Sequence, residues 1–277
     1  MKLATVGKGG SGKTTIAGTL SRIFADNGVK IVAIDGDPNP NLALTLGMTP
    51  DQADGITYIT PSIMKAGDKV DGVVQMVPAI PLEQIMAEYS SKAADNVDLI
   101  VMGQPRHGTA GQGCMCASHR AVRGLITELT AIGEHTITDM EAGLEHLRRG
   151  TARHVDAMLV VAEPYYRSLE AAARTCSLAN ELAIPFVRVV ANKVRNEADA
   201  AAIESFCKQH DLEIIGTVPY DESMMEAERQ AKAPIDFDPD SAGVQAIQAI
   251  AREVEQMEAA LPQVRKRPAG DQAHPTN

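Results

Sequence analysis

An α/β fold is predicted for this 277-residue chain: one doubly wound domain whose mostly parallel sheet of seven to eight strands is flanked by helices. Strand-like runs alternate with helical ones, which implies parallel strands joined by right-handed crossovers. Most of the strand candidates are continuous apolar runs, such as Ala157-Met158-Leu159-Val160-Val161-Ala162, as expected for strands covered on both faces. A glycine-rich frame, Gly7-Lys8-Gly9-Gly10-Ser11-Gly12-Lys13-Thr14, lies between the first strand and the first helix, the context that gives such a frame its meaning.

The first strand is read at 2–6. The first helix runs from Thr15 to Asn27, with Ile16, Leu20, Ile23 and Phe24 on one stripe, and stops near Gly28. Further strands are read at 30–35, 97–102, 135–139, 157–162, 186–191 and 213–218. The stretch 60–96 is less regular, broken by Pro61, Pro78 and Pro81, and holds one short helix, Leu82 to Lys92. No internal repeat or linker divides the chain, so residues 1–261 form one domain. Residues 262–277, with Pro262, Pro268, Gly270 and Pro275, read as a disordered tail. In such a fold, ligands bind at the carboxyl ends of the strands.

Gly-x4-Gly-Lys-Thr is the frame of a phosphate-binding loop. Its glycines let backbone N–H groups surround a polyphosphate, and the helix N-terminus adds partial positive charge. Lys13 is placed to reach the β- and γ-phosphates and the Thr14 hydroxyl to ligate Mg²⁺. The loop carries one lysine more than it needs: Lys8 sits at its open edge, where its charge can reach a phosphate on a facing subunit. Asp37 ends the second strand and Asp139 the fourth main strand, positions from which a carboxylate reaches the metal shell or orients an attacking water. Gly143, four residues after Asp139, can offer its N–H to the γ-phosphate. The competing reading for both aspartates is a helix cap. Asp35 offers a second acid beside Asp37, and strand alternation favours Asp37 as the site acid with Asp35 in support. Asn192 has the donor and acceptor that an adenine edge needs; otherwise it is a turn asparagine.

Composition removes several function classes. A net charge of −10 argues against a general nucleic-acid surface. No apolar run approaches the roughly 20 residues of a membrane span, and Met1 leads directly into a strand, so no secretory leader is expected. The reading is a cytoplasmic protein with no nucleic-acid or membrane partner. Its four cysteines are then thiols or metal ligands and not a disulfide framework.

Lys8-Gly9-Gly10-Ser11-Gly12-Lys13-Thr14-Thr15 resembles the loop of the deviant Walker A ATPases, whose signature lysine falls at Lys8. This group includes the MinD, ParA and nitrogenase iron proteins. Ile31 to Asn41, Thr138 to Leu147 and Gly113-Cys114-Met115-Cys116 resemble the two switches and the Cys-x-Cys motif of its CooC-type branch. Val190-Ala191-Asn192-Lys193 and Gly216-Thr217-Val218-Pro219-Tyr220-Asp221 resemble the base-binding end of the wider family. The resemblance covers residues 1–255. It implies an ATPase that binds ATP or ADP with Mg²⁺ through Gly9, Gly10, Ser11, Gly12, Lys13, Thr14, Thr15, Gly143, Asn192 and Pro219. It also implies that Lys8 crosses a homodimer interface to the other subunit's nucleotide.

Cys114 and Cys116 stand one residue apart. Two thiols seldom hold a metal alone, because tetrahedral sites want four ligands. A two-fold dimer supplies the other two, giving a site for Ni²⁺, Zn²⁺ or, with sulfide, a small iron–sulfur cluster. Two free thiols on a loop, or a site within one chain using His119, are the alternatives; His107 and His119 otherwise read as surface residues. Cys176 and Cys207 read as small hydrophobes inside helices. The second switch, Asp139-Met140-Glu141-Ala142-Gly143, lacks the cysteine of the iron protein, which weighs against electron transfer. By resemblance, the expected role is nickel insertion into a client enzyme like carbon monoxide dehydrogenase. An iron–sulfur reductase component and a positioning ATPase of the MinD or ParA kind are the alternatives.

Overall fold

Eight strands form one sheet in the computed structural model, which describes residues 1–70, 73–102, 124, 125, 128, 135–141 and 155–264. In chain order they are β1 (Lys2–Gly7), β2 (Ile31–Gly36), β5 (Ser90–Ala94), β6 (Val97–Val101), β7 (His135–Met140), β8 (Ala157–Ala162), β9 (Phe186–Val194) and β10 (Ile214–Pro219), and their order across the sheet is β10-β9-β8-β1-β7-β2-β6-β5. All neighbours run parallel except β5, which is antiparallel to β6. The seven expected strands are all present. The eighth, β5, and the hairpin of β3 (Met64–Val70) and β4 (Val73–Pro78) were not expected.

The helix expected over Leu82–Lys92 ends at Tyr89, and Ser90 to Lys92 belong to β5. Ser90 closes that helix by donating its hydroxyl to the Met86 carbonyl at 2.6 Å, which satisfies an orphan acceptor of the last turn. The edge strand Ser-Ser-Lys-Ala-Ala is small, partly exposed and without apolar alternation, so it carries little strand signal. The first helix, α1 (Lys13–Asp26), starts two residues earlier than expected, directly out of the loop. The C-terminal helix Ala242–Val264 continues through Pro262, past the expected end of the domain at 261.

Alternate residues of each strand feed two layers, as the pleat requires. Leu3, Ile31, Leu99, Ile137 and Leu159 face α1 and the C-terminal helix through Ile16, Leu20, Phe24, Ile247 and Val254. Ala4, Val6, Met158, Val160 and Val189 face the helices Tyr166–Glu181 and Glu197–Gln209. Cys176 and Cys207 are buried in that second layer, where burial pushes the Cys176 thiol up to about 12.

The helix α1 also packs against a single helical turn, Leu42–Thr45, that leads away from β2. The approach is close at Gly18, where an added Cβ would lie 2.4 Å from Thr45 Cγ2. Gly18→Ala gains about 1 kcal/mol of helix propensity but overpacks the contact at a cost of about 1–3 kcal/mol. A lowered urea midpoint with unchanged m-value is the expected result.

Candidate nucleotide site

The carboxyl ends of β1, β2, β7, β9 and β10 meet along one edge of the sheet. A cleft of about 580 Å³ opens there, lined at one end by Gly9, Gly10, Gly12, Lys13, Thr14 and Thr15 and at the other by Val218, Pro219, Tyr220 and Met224. Gly10 and Gly12 take φ of 81° and 93°, conformations that glycine adopts without strain. The start of α1 has no side-chain cap and no acidic residue in its first turn. Its orphan N–H groups and partial positive charge are therefore left to whatever occupies the cleft, and an anion suits them.

Thr5 on β1, Asp139 on β7 and Asp35 on β2 are register partners across three neighbouring strands. Asp139 is 1% exposed. Its two carboxylate oxygens accept from the Thr5 hydroxyl at 3.1 Å and from the Thr14 hydroxyl at 2.5 Å. Burial raises its carboxyl to about 6, against the pull of the Thr14 hydrogen bond, the Lys13 ammonium and the Thr5 hydrogen bond. The Thr14 hydroxyl gives its proton to Asp139, which leaves its oxygen lone pairs for a cation. A hard cation with oxygen ligands, Mg²⁺ above all, fits this donor set.

Asp35 is fully buried. It accepts from the backbone N–H of Asp37 at 3.1 Å, of Asn41 at 3.0 Å and of Leu42 at 2.9 Å. It therefore holds the turn that follows β2, while Asp37 lines the cleft. Burial, and then the charge of Asp139, raise the Asp35 carboxyl to about 7.

Asn192 lies within β9, which runs to Val194, past the expected end of that strand at 191. Its amide Nδ2 donates to the Ser11 carbonyl at 2.6 Å. One of the two N–H donors of the amide is thus engaged with the loop, and a base would meet the second donor and the amide oxygen. The next residue, Lys193, donates its ammonium to the Gly10 carbonyl at 2.5 Å and pairs with Glu163 at 3.2 Å. The sequence places Lys193 only in the base-end run beside Asn192 and gives no sign of Glu163, and nothing in it announces a left-handed lysine. Asp221, at the far end of the cleft, caps the following helix through Ser223 N–H and also accepts from Gly243 N–H.

Lys8 is exposed at the rim, and its carbonyl accepts from Ser11 N–H at 3.1 Å. Gly143, Cys114, Cys116, His107 and His119 lie outside the described residues. Among the described residues no cluster of three or more His, Cys, Asp or Glu side chains is placed to hold a metal ion, and no helix is long and apolar enough to cross a membrane.

The sequence profile of the CobQ/CobB/MinD/ParA nucleotide binding domain matches residues 2–235. The uncharacterized ATP-binding protein MJ0823 of Methanocaldococcus jannaschii is 39% identical over 253 residues, 86% of this chain and 92% of its own. The carbon monoxide dehydrogenase accessory protein CooC of Rhodospirillum rubrum is 34% identical over 249 residues, 86% of this chain and 91% of its own. Among solved structures, a ParA family ATPase from Chlorobium tepidum superposes with a TM-score of 0.69 at 18% identity, covering 91% of this chain and 98% of its own; that likeness speaks to the fold alone.

Proposed function

We propose a maturation role from one premise: this chain belongs to the CobQ/CobB/MinD/ParA nucleotide-binding family, in its CooC-type branch, and is an ATPase. In this reading it is a cytoplasmic, dimerising accessory factor. It couples ATP binding to the handling of a soft or borderline metal for a client enzyme like carbon monoxide dehydrogenase.

The observation that carries the nucleotide half is the Thr14–Asp139 contact beneath the uncapped start of α1. Phosphoryl transfer asks mainly for positioning and charge stabilisation. The loop amides and Lys13 hold the phosphates, and Asp37 orients the attacking water from the turn that Asp35 fixes. Pro219 and Asn192 sit at the base end. Mg²⁺, when bound, would be held by Thr14 and would neutralise charge on the β- and γ-phosphates. Gly143 would offer its N–H to the γ-phosphate.

Lys8, exposed at the rim, reaches the nucleotide of a second copy. Closure of that dimer changes the geometry around Cys114 and Cys116, and two pairs of thiolates make a four-sulfur site. The support for the metal and the client is the identity with CooC together with the Cys-x-Cys spacing.

Metal content and solution mass, each with and without Mg-ATP, test this reading. Wild type is expected to shift to dimer mass and to carry nickel or zinc at about one ion per two chains, the stoichiometry of a shared four-ligand site. A Cys114→Ser/Cys116→Ser variant is expected to lose the metal and keep its ATP turnover. Metal-stimulated dimerisation that survives the double substitution would overturn the coupling.

A further inference from the structure

Consecutive residues of a strand point to opposite faces, yet Asn192 and Lys193 both reach the same loop. Two features of β9 explain this. Lys193 has φ of 58°, the left-handed region that non-glycine residues seldom occupy and that concentrates at functional sites. The ladder with β10 is also irregular here. Ala191 is opposite Thr217 and Val194 is opposite Pro219, so β9 spends two residues, Asn192 and Lys193, where β10 spends one, Val218. This is a β-bulge, a device that re-aims a side chain beside a site.

The bulge turns the Lys193 side chain onto the Gly10 carbonyl while Asn192 holds the Ser11 carbonyl next to it. A trans peptide is planar, so fixing a carbonyl fixes the following N–H in the opposite direction. With the Gly10 carbonyl drawn to Lys193, Ser11 N–H turns away and closes onto the Lys8 carbonyl. With the Ser11 carbonyl drawn to Asn192, Gly12 N–H is turned to the opposite side. Glu163, only 15% exposed and tied through its own N–H to Ser168 Oγ at 3.0 Å, anchors the ammonium from the end of β8.

We propose that Lys193 is a positioning residue of the phosphate loop: held by Glu163, it sets the Lys8–Ser11 turn and with it the presentation of Lys8 and the loop amides to Mg-ATP. The proposal rests on the reading of that loop as the ATP site. Lys193 need not touch the reacting atoms. Its effect belongs in the affinity for nucleotide and only weakly in the turnover of bound nucleotide.

The test is Mg-ATP affinity, kcat and melting temperature for Lys193→Met, Lys193→Gly, Glu163→Gln and the pair Lys193→Met/Glu163→Gln. Both Lys193 variants are expected to bind Mg-ATP roughly tenfold more weakly, the scale of one charge-assisted hydrogen bond, with kcat within about threefold of wild type. Glycine takes a φ of 58° without strain, so Lys193→Gly is expected to melt at or above the wild-type temperature while binding ATP more weakly. A merely structural role cannot give that combination. Glu163→Gln is expected to weaken binding less, and the pair to be no weaker than Lys193→Met alone, because both act through one contact. Affinities within about twofold of wild type, or losses of affinity that follow losses of melting temperature, would overturn the proposal. Lys13→Ala is the control: if it kept ATP binding, the loop would not be the ATP site and the proposal would fall with that reading.

Discussion

Asp139→Asn is expected to lower ATP turnover by about 10²–10³-fold, the range seen when one preorganised charge-stabilising group is removed, while nucleotide binding without Mg²⁺ stays within a few-fold of wild type. The two oxygens of Asp139 each accept a hydroxyl proton, from Thr5 and from Thr14. An amide of the same size offers one acceptor and one donor. If its oxygen faces Thr5, its NH₂ faces Thr14, takes up one of the two lone pairs of that hydroxyl and turns its proton toward the cation position. If its oxygen faces Thr14, the anion that polarises that hydroxyl is still gone. The phosphates themselves are held by the loop and Lys13, which the change does not touch. Stability should not suffer, since a fully buried carboxylate is replaced by a neutral group. The measurement is kcat alongside nucleotide affinity with and without Mg²⁺; a kcat within about tenfold of wild type would show that Asp139 does not act at the metal.

The sheet was legible because its inner strands are runs of buried β-branched and aliphatic residues, and such runs state their own class. β8 is buried along its whole length, and its sequence says so without help. β5 and the β3–β4 hairpin were not legible. β5, Ser-Ser-Lys-Ala-Ala, is small and polar and owes its place to pairing with β6; β3 is interrupted by Gly67-Asp68, and the valines of β4 lie in a stretch punctuated by Pro61, Pro78 and Pro81. The nucleotide loop was legible as a motif. The division of labour between Asp35 and Asp37 was only half so: residues two apart on a strand share a face, β2 ends at Gly36 before Asp37, and no pattern in the sequence says that one carboxylate gathers three backbone N–H groups. Lys193 was legible only as the neighbour of Asn192 in the base-end run Val190-Ala191-Asn192-Lys193, with no sign of its hold on the loop. A bulge and a left-handed backbone are products of register between strands far apart in sequence, and a single sequence shows neither.

Asp35→Asn is expected to have opposite effects on stability at pH 5 and at pH 8. In the folded protein the Asp35 carboxyl is raised to about 7 from 3.8, by burial first and then by Asp139. Asp139 itself is raised to about 6, also by burial. Asp139 ionises first, since Thr14, Lys13 and Thr5 favour its anion, and its charge then holds back Asp35. Between about pH 4 and pH 7 the folded protein keeps protons that the unfolded chain has released, so stability is fully present below pH 4 and falls as pH rises through that window. At roughly 1.36 kcal/mol per pKa unit, a carboxyl moved this far carries on the order of 4 kcal/mol. At pH 5 the wild-type side chain is mostly neutral and satisfies the turn. Asparagine there loses about one hydrogen bond, roughly 1 kcal/mol, because its NH₂ cannot accept from Asp37 N–H. At pH 8 the wild type also bears the buried charge and its repulsion from Asp139, a larger quantity than the lost bond, so the variant becomes the more stable protein. Urea unfolding of both proteins without nucleotide at the two pH values measures the difference, and an equal difference at pH 5 and pH 8 would mean that Asp35 is not held protonated by its surroundings. ATP turnover separates the two roles of this residue. The variant that gains stability at pH 8 is still expected to hydrolyse ATP more slowly, because the turn that presents Asp37 has lost one of its tethers to the carboxylate.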